Sequence, residues 1–324
     1  MEEQKKRRFD IKEFSKNNSP LIAFLILFII ATLLKGTTFL GISNLLNILL
    51  NNSIIGIIAL GGMLVIMTAG IDLSVGSMLA LIGLVTLTIL NQTNSIVLAI
   101  LGAIAVGCVL GLFTGELVAR LGLPAFIVTL GTMRIYRSVA QYWFNGGGIT
   151  AMNKNAMAFT QIANNSLLGI PLPVIIWAVI SVIIYILVKK TALGRHIIAA
   201  GSNYRATFLA GINVKRVLIF VYIIAGSLVA IASVIEASRL GSMNSASSGL
   251  NYEMDAIAAT VIGGTSLMGG RGSVAGTIFG TLTLGIINNL MDLLGMPSFL
   301  VGAVKGAIII IAVLMQSLFD RKKD

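Results

Sequence analysis

Apolar windows about 20 residues long recur along the chain, each long enough to cross the hydrocarbon core of a bilayer as a helix. Ten can be marked, at residues 21–40, 54–69, 73–90, 96–119, 124–144, 170–188, 217–237, 254–268, 273–291 and 296–318. Hydrocarbon offers no partner to an exposed backbone N–H or C=O, so runs of this length fold as α-helices, which satisfy those groups internally. The second and eighth windows are short, and residues 42–52 either extend the second or lie along the interface. The expected fold class is an all-α polytopic membrane protein with about ten transmembrane helices. Composition agrees: 56% of the residues are hydrophobic and 11% charged, with a mean hydropathy of +0.96. A soluble fold of this size has no means of hiding so much apolar surface.

The net charge of +11 would suit nucleic acid if the basic residues formed a stripe. They fall instead in short clusters beside apolar runs, so a nucleic-acid partner is not expected and a lipid bilayer is. With ten spans and both termini inside, 17 of the 23 Lys and Arg residues lie in cytoplasmic segments: the N-terminal tail, Arg120, residues 189–216, Arg271 and residues 321–323. Lys35, Lys154 and Arg239 fall outside, and Arg134, Arg137 and Lys305 within spans. That asymmetry orients the chain in a cytoplasmic membrane. Residues 1–20 read as a basic cytoplasmic tail, 21–318 as the transmembrane domain, 189–216 as its large cytoplasmic loop and 319–324 as a second tail. No small-residue cleavage site follows the basic start.

The stretch Gly70-Ile71-Asp72-Leu73-Ser74-Val75-Gly76 sets a carboxylate in an apolar tract, 54–90, with no other charge. A charge at bilayer depth costs several kcal/mol unless paired or solvated, so it marks a pathway or a helix break. The flanking glycines let the chain leave helical geometry, and Asp72 or Ser74 can cap the helix that follows. Capping at the water interface alone is the plainer reading.

Small residues at helix-face spacing, as in Gly102, Gly107, Gly111 and Gly115 or Gly276, Gly280 and Gly285, are expected to be packing contacts. Residues 145–169 read as an outer loop with a short helix. In 189–216, Ser202 or Asn203 can cap a short helix through Ala206, Leu209 and Ala210 that Gly211 stops. Such a helix suits docking to a cytoplasmic partner; lying on the bilayer is the alternative. The glycine-rich residues 263–272 read as a tight cytoplasmic turn with Arg271 at the interface.

Glu236, Arg239, Tyr252, Glu253 and Asp255 cluster near the outer ends of the seventh and eighth windows, as a local ion pair or as an outer gate and docking surface. Asn288 and Asn289 read as interhelical hydrogen-bond glue ahead of direct contact with a solute. Arg137 and Lys305 either snorkel to an interface or find partners within the bundle. Trp143 and Trp177 stand where interfacial anchors do. The lone Cys108 excludes a disulfide framework, and with His196 builds no metal site.

Several ordered blocks together carry a family resemblance: 43–49 (Ser-Asn-Leu-Leu-Asn-Ile-Leu), 70–76, 124–133 (Pro-Ala-Phe-Ile-Val-Thr-Leu-Gly-Thr-Met), Leu193-Gly194-Arg195, Gly211-Ile212-Asn213-Val214, Glu236, Arg239, 252–259 and 263–272. Over nearly its full length the chain resembles the permease subunits of bacterial ATP-binding cassette importers of the ribose and simple-sugar type. The resemblance implies a pore formed by two permease subunits, a homodimer here, in the bacterial inner membrane. It implies a cytoplasmic ATPase partner contacted through a coupling helix, which assigns coupling to Gly194, Arg195, Asn203, Ala206, Gly211 and Ile212. Thr207 and Phe208 replace the small and basic residues common there. Arg137 matches a family arginine; Arg134 does not and is unassigned.

The chain has no Gly-x-x-x-x-Gly-Lys-[Ser/Thr] loop, so it is expected to be no enzyme and to bind no cofactor, with ATP used by the partner subunit. An extracytoplasmic sugar-binding protein would supply affinity, leaving the pore sparse and polar. Asp72, Ser74, Asn288 and Asn289 are its candidate lining or break residues. Spans two to five and seven to ten could form two inverted repeats, with a path near the midplane. The competing class is an ion-coupled secondary transporter or channel for a small polar solute, in which Asp72 and the arginines would couple ions.

Overall fold

The structure, a computed structural model, describes residues 19–152, 154–297, 300–308, 310 and 314. The expected basic tail lies outside the described residues except for its last two positions, and the tail expected over 319–324 lies outside them entirely.

The first long helices follow one another with short breaks: α1 (Ser19–Leu40), α2 (Ile42–Met67), α3 (Val75–Thr93), α4 (Ile96–Ala119) and α5 (Ala125–Trp143). A strand, β1 (Gly148–Thr150), a helix, α6 (Ala156–Asn164), and a small hairpin of β2 (Ser166–Leu167) and β3 (Ile170–Pro171) lead to α7 (Leu172–Lys190). Then come two short helices, α8 (Ala192–Ser202) and α9 (Tyr204–Leu209), the long α10 (Val214–Leu240), strand β4 (Ser242–Asn244), α11 (Tyr252–Ile262) and α12 (Val274–Leu293). Residues 300–308 begin a last helix, α13.

Seven of these helices, α1, α2, α3, α4, α7, α10 and α12, are long and apolar enough to cross a membrane. The all-α polytopic class is therefore what the chain adopts. Residues 42–52 extend the second span into one 26-residue helix rather than lying along an interface. α5 has 19 residues but carries Arg134 and Arg137, which dilute its hydropathy. The window at 254–268 is corrected: helix ends at Ile262, where the chain turns through Gly263 and Gly264, the latter at φ +80°.

α10 is the axis of the packing, lying against α4, α2 and α3. Its approach to α4 is close because Gly107 and Gly111 face Gly226 and Tyr222, where a Cβ would strike backbone carbonyls. Between membrane helices such contact supplies the dispersion that lipid tails leave undriven. Gly276 and Gly280 seat α12 against Gly263 and Ala259 in the same way, while Gly285 makes room for Asn52 of α2. Gly102 faces Ile89 of α3.

Trp177 is no interfacial anchor. It is 4% exposed and fills the notch left by Gly56 on α2, whereas Trp143 at the end of α5 is exposed. The absence of a Cβ at position 56 makes a slot for the indole.

One face of the bundle gathers the end of α2, the basic end of α7, α8, α9 and the 263–273 turn; Gly270 N donates to Met67 O at 2.9 Å. This is the basic face. The opposite face is capped by α6, held to α10 by the Ser238 hydroxyl, which donates to Phe159 O at 2.6 Å and accepts from Ala163 N at 3.0 Å.

Candidate functional site

Residues 68–74, between α2 and α3, are not helical. They enter the bundle near the basic face, where the Thr129 hydroxyl, one turn into α5, donates to Ile71 O at 2.9 Å. Asp72 is 6% exposed, and its Oδ1 accepts from both Ser74 N (2.8 Å) and Ser74 Oγ (2.7 Å). The carboxylate thus closes a local turn on the residue that caps α3, satisfying an N–H in the break that would otherwise be buried without a partner. Ser74 is the N-cap of α3, but its own side chain takes no donor from the helix.

A second break enters from the opposite face. After α10, β4 pairs antiparallel with β1, Gly148 opposite Asn244 and Thr150 opposite Ser242. The chain continues inward from there. Ser245 is fully buried, with its N and Oγ both donating to Gly147 O. Arg137 reaches across from α5, its Nη1 donating to Ser245 O and Ser248 O at 2.9 Å each. At the inner end Gly249 lies backbone to backbone against Gly76. Residues 245–249, which follow β4, are therefore folded into the bundle. Their carbonyls are answered by β1 and by a guanidinium, which supports irregular backbone only where protein or a cavity surrounds it.

α11 then returns to the basic face. Its 11 residues rise about 16 Å, half of a hydrocarbon core about 30 Å thick, so Tyr252 and Glu253 begin near mid-depth. Of the five residues expected to cluster, Glu236 and Tyr252 stay together, carboxylate facing phenol, with Arg239 and Asp255 within electrostatic reach of that pair. Arg239, at the end of α10, donates to Asn51 Oδ1, and Glu236 is buried with one oxygen lacking a hydrogen-bond partner among the described residues. Tyr252, Glu253 and Asp255 occupy the first turn of α11. Asp255 pairs with Lys305 of α13, whose Nζ donates at 3.0 and 2.9 Å to the two carboxylate oxygens. Lys305 thus finds its partner within the bundle, on a residue far from it in sequence.

Between α3, α5 and this re-entrant segment is a cavity of about 340 Å³ lined by Ser77, Met133, Arg134, Arg137, Gln141, Ala246, Leu250, Asn251 and Glu253. Arg137 and Glu253 are among the residues singled out by the sequence; Arg134, unassigned there, joins them here. Asn288 and Asn289 lie elsewhere, on α12. Asn289 and Asn44 of α2 exchange both amide hydrogen bonds, at 2.7 and 3.1 Å, an interhelical clasp. Asn288 Oδ1 is buried and has no partner among the described residues.

On the basic face Thr191 caps α8 by accepting from Gly194 N, and Gly194 is buried where a Cβ would strike Val188 O. Arg195 points outward. Asn203 caps α9, its Oδ1 accepting from Ala206 N at 2.9 Å, and Gly211 ends the turn at φ +82°. The exposed surface of α9 includes Tyr204, Ala206, Phe208 and Leu209, the last 77% exposed. Beside it a cavity of about 380 Å³ is lined by Tyr204, Phe208, Gly211, Ile212, Asn213, Val214 and Lys215.

Two irregular segments entering a helical bundle from opposite faces, a cavity with charged and amide side chains where they meet and an exposed capped helix on one side define a multi-pass membrane transport subunit. The chain belongs to the family described as the permease component of the branched-chain amino acid transport system, whose model matches residues 44–313. It is 41% identical over 319 residues to the ribose import permease of Escherichia coli K12, covering 98% of each chain. It is 42% identical over 322 residues to the ribose import permease of Bacillus subtilis 168, covering 99% of this chain and 97% of that one. Similarity extends to the D-allose transport system permease of Escherichia coli K12, 35% identical over 284 residues, 87% of this chain and 86% of that one. No solved structure matches. As a permease component the chain is a transport subunit without an ATPase site of its own.

Proposed function

We propose that this chain is the permease subunit of an ATP-binding cassette importer that moves a ribose-like monosaccharide or related sugar into the cytoplasm. A separate cytoplasmic ATPase drives it, an extracytoplasmic binding protein feeds it, and a second copy of the chain completes the pore. The structural observation that carries the reading is α9: a capped helix outside the spanning bundle presents Tyr204, Phe208 and Leu209 to solvent beside a cavity. A short helix with apolar anchors is a surface for a protein partner. This assigns ATPase coupling to Asn203, Ala206, Gly211 and Ile212, with Gly194 and Arg195 on the supporting helix. The basic face is then cytoplasmic, with both termini on that side, as the distribution of Lys and Arg supports. ATP is bound by the partner, not by this chain. The choice of a monosaccharide rests on the ribose and allose permeases it resembles.

The test is site-specific photocrosslinking from Leu209 in membranes of cells expressing the whole transport system, with uptake measured in parallel. The reading expects a crosslink to the ATPase and uptake that needs ATP. Substrate transport by the chain alone in ATP-free vesicles would overturn it.

A further inference from the structure

Arg134 stands about 13 Å along α5 from Ala125, near the middle of a helix that spans the bundle. It is exposed, and it makes no hydrogen bond or ion pair among the described residues. Gly131, Ser138 and Gln141 continue the same exposed stripe at helical spacing, which near the helix start also carries Ile127 and Leu130, and the exposed Ile135 stands about 100° round the helix from Arg134. A guanidinium facing hydrocarbon at mid-span costs about 2.5–3.5 kcal/mol or more, so such a stripe faces water or protein rather than lipid. The cavity supplies the water: Arg134, Arg137 and Gln141 line it from α5, Asn251 and Glu253 from the re-entrant segment and α11.

We infer that this cavity is a transit site for the transported solute and that Arg134 is its specificity-determining donor, an inference that rests on the importer reading above. Arg137 is committed to the carbonyls of Ser245 and Ser248 and holds the re-entrant segment in place. Among the described residues the N–H donors of Arg134 have no partner, which leaves them for hydroxyl oxygens, and the Glu253 carboxylate accepts from hydroxyl hydrogens. Gln141 and Asn251 offer both donors and acceptors. Six of the nine lining residues are polar and only Met133, Ala246 and Leu250 are apolar. Apolar surface from these three and from the stems of the long polar side chains lies beside the polar groups, the mix a monosaccharide presents with its ring C–H faces and its hydroxyls. The volume falls in the range of small-molecule pockets, about 300–1,000 Å³.

The test uses the full transporter, with its ATPase and binding protein, in a background where the single native cysteine is replaced by Cys108→Ala. Arg134→Cys and Ile135→Cys are exposed to hydroxyethyl methanethiosulfonate, which reacts with a hydrated thiolate. Labelling at position 134 should be at least tenfold faster than at 135, slowed when ribose-loaded binding protein and ATP are cycling and unaffected by leucine. Ser138→Cys, one turn along the stripe, repeats the contrast with Arg134 retained. Equal, slow labelling at all three positions overturns the inference; so does protection by leucine but not by ribose. Failure of the importer reading shows separately, as absence of ATP-dependent ribose uptake in the Cys108→Ala parent. The labelling contrast between 134 and 135 is read whatever that parent carries.

Discussion

Gly76 and Gly249 touch backbone to backbone inside the bundle: a Cβ on either would overlap the carbonyl oxygen of the other. The two belong to segments that break helical geometry from opposite faces, so the contact is where the breaks are locked together. Gly249 also sits at φ +66°, a conformation that costs other residues about 1–2 kcal/mol. Gly76→Ala and Gly249→Ala should each destabilise the folded chain by about 1–3 kcal/mol through overpacking, the second by the larger amount. Thermal unfolding in detergent, read beside ribose uptake, checks the order.

Asp72 separates two mechanisms. Its Oδ1 serves Ser74 twice, and an asparagine oxygen can do the same, whereas leucine cannot. Asp72→Asn should therefore retain weak transport, and Asp72→Leu should lose about 1 kcal/mol or more and fail in assembly or uptake. An ion-coupling carboxylate would give the reverse emphasis, with Asn abolishing uptake.

Asp255 and Lys305 are each about one-fifth exposed, with side chains at 19% and 23%. That places their pair between the exposed and the buried regimes. Asp255→Asn strands the ammonium of Lys305 and should cost about 1–3 kcal/mol. Asp255→Asn combined with Lys305→Met should recover part of that loss, because neither partner is then left charged. A double-mutant cycle on thermal stability measures the difference; equal losses in the single and double variants would refute a coupled pair.

The long apolar spans were legible because hydropathy and length decide them: residues 96–119 are helical to the residue, whereas the window at 254–268 overran a helix that stops at Ile262; Asn203 and Gly211 bound α9 as their capping chemistry requires. Residues 241–251 were not legible. Their Ser, Asn and Gly content reads as an outer loop, and only the pairing of β4 with β1 and the reach of Arg137 show that their polar backbone is satisfied inside. Arg137 opposite a polar stretch, and Lys305 in an apolar window with Asp255 in another, were the available signals; composition alone could not say which charge meets which. Trp177 was misplaced for a similar reason, since its slot is made by a glycine more than a hundred residues away.

On α9, Gly211→Val puts a β-branched residue at φ +82° and distorts the turn that positions Phe208 and Leu209. ATP hydrolysis should become uncoupled from uptake while the amount of chain in the membrane is unchanged. Asn203→Ala removes one cap, worth about 1 kcal/mol, and should give a milder version of the same phenotype.

The most direct test of the account is ribose uptake into vesicles holding this chain with its ATPase and binding protein, measured with and without ATP and with and without an uncoupler. Uptake that requires ATP and survives collapse of the ion gradients is the predicted result. Uptake that persists without ATP, or that vanishes with the gradient while ATP is present, would contradict it.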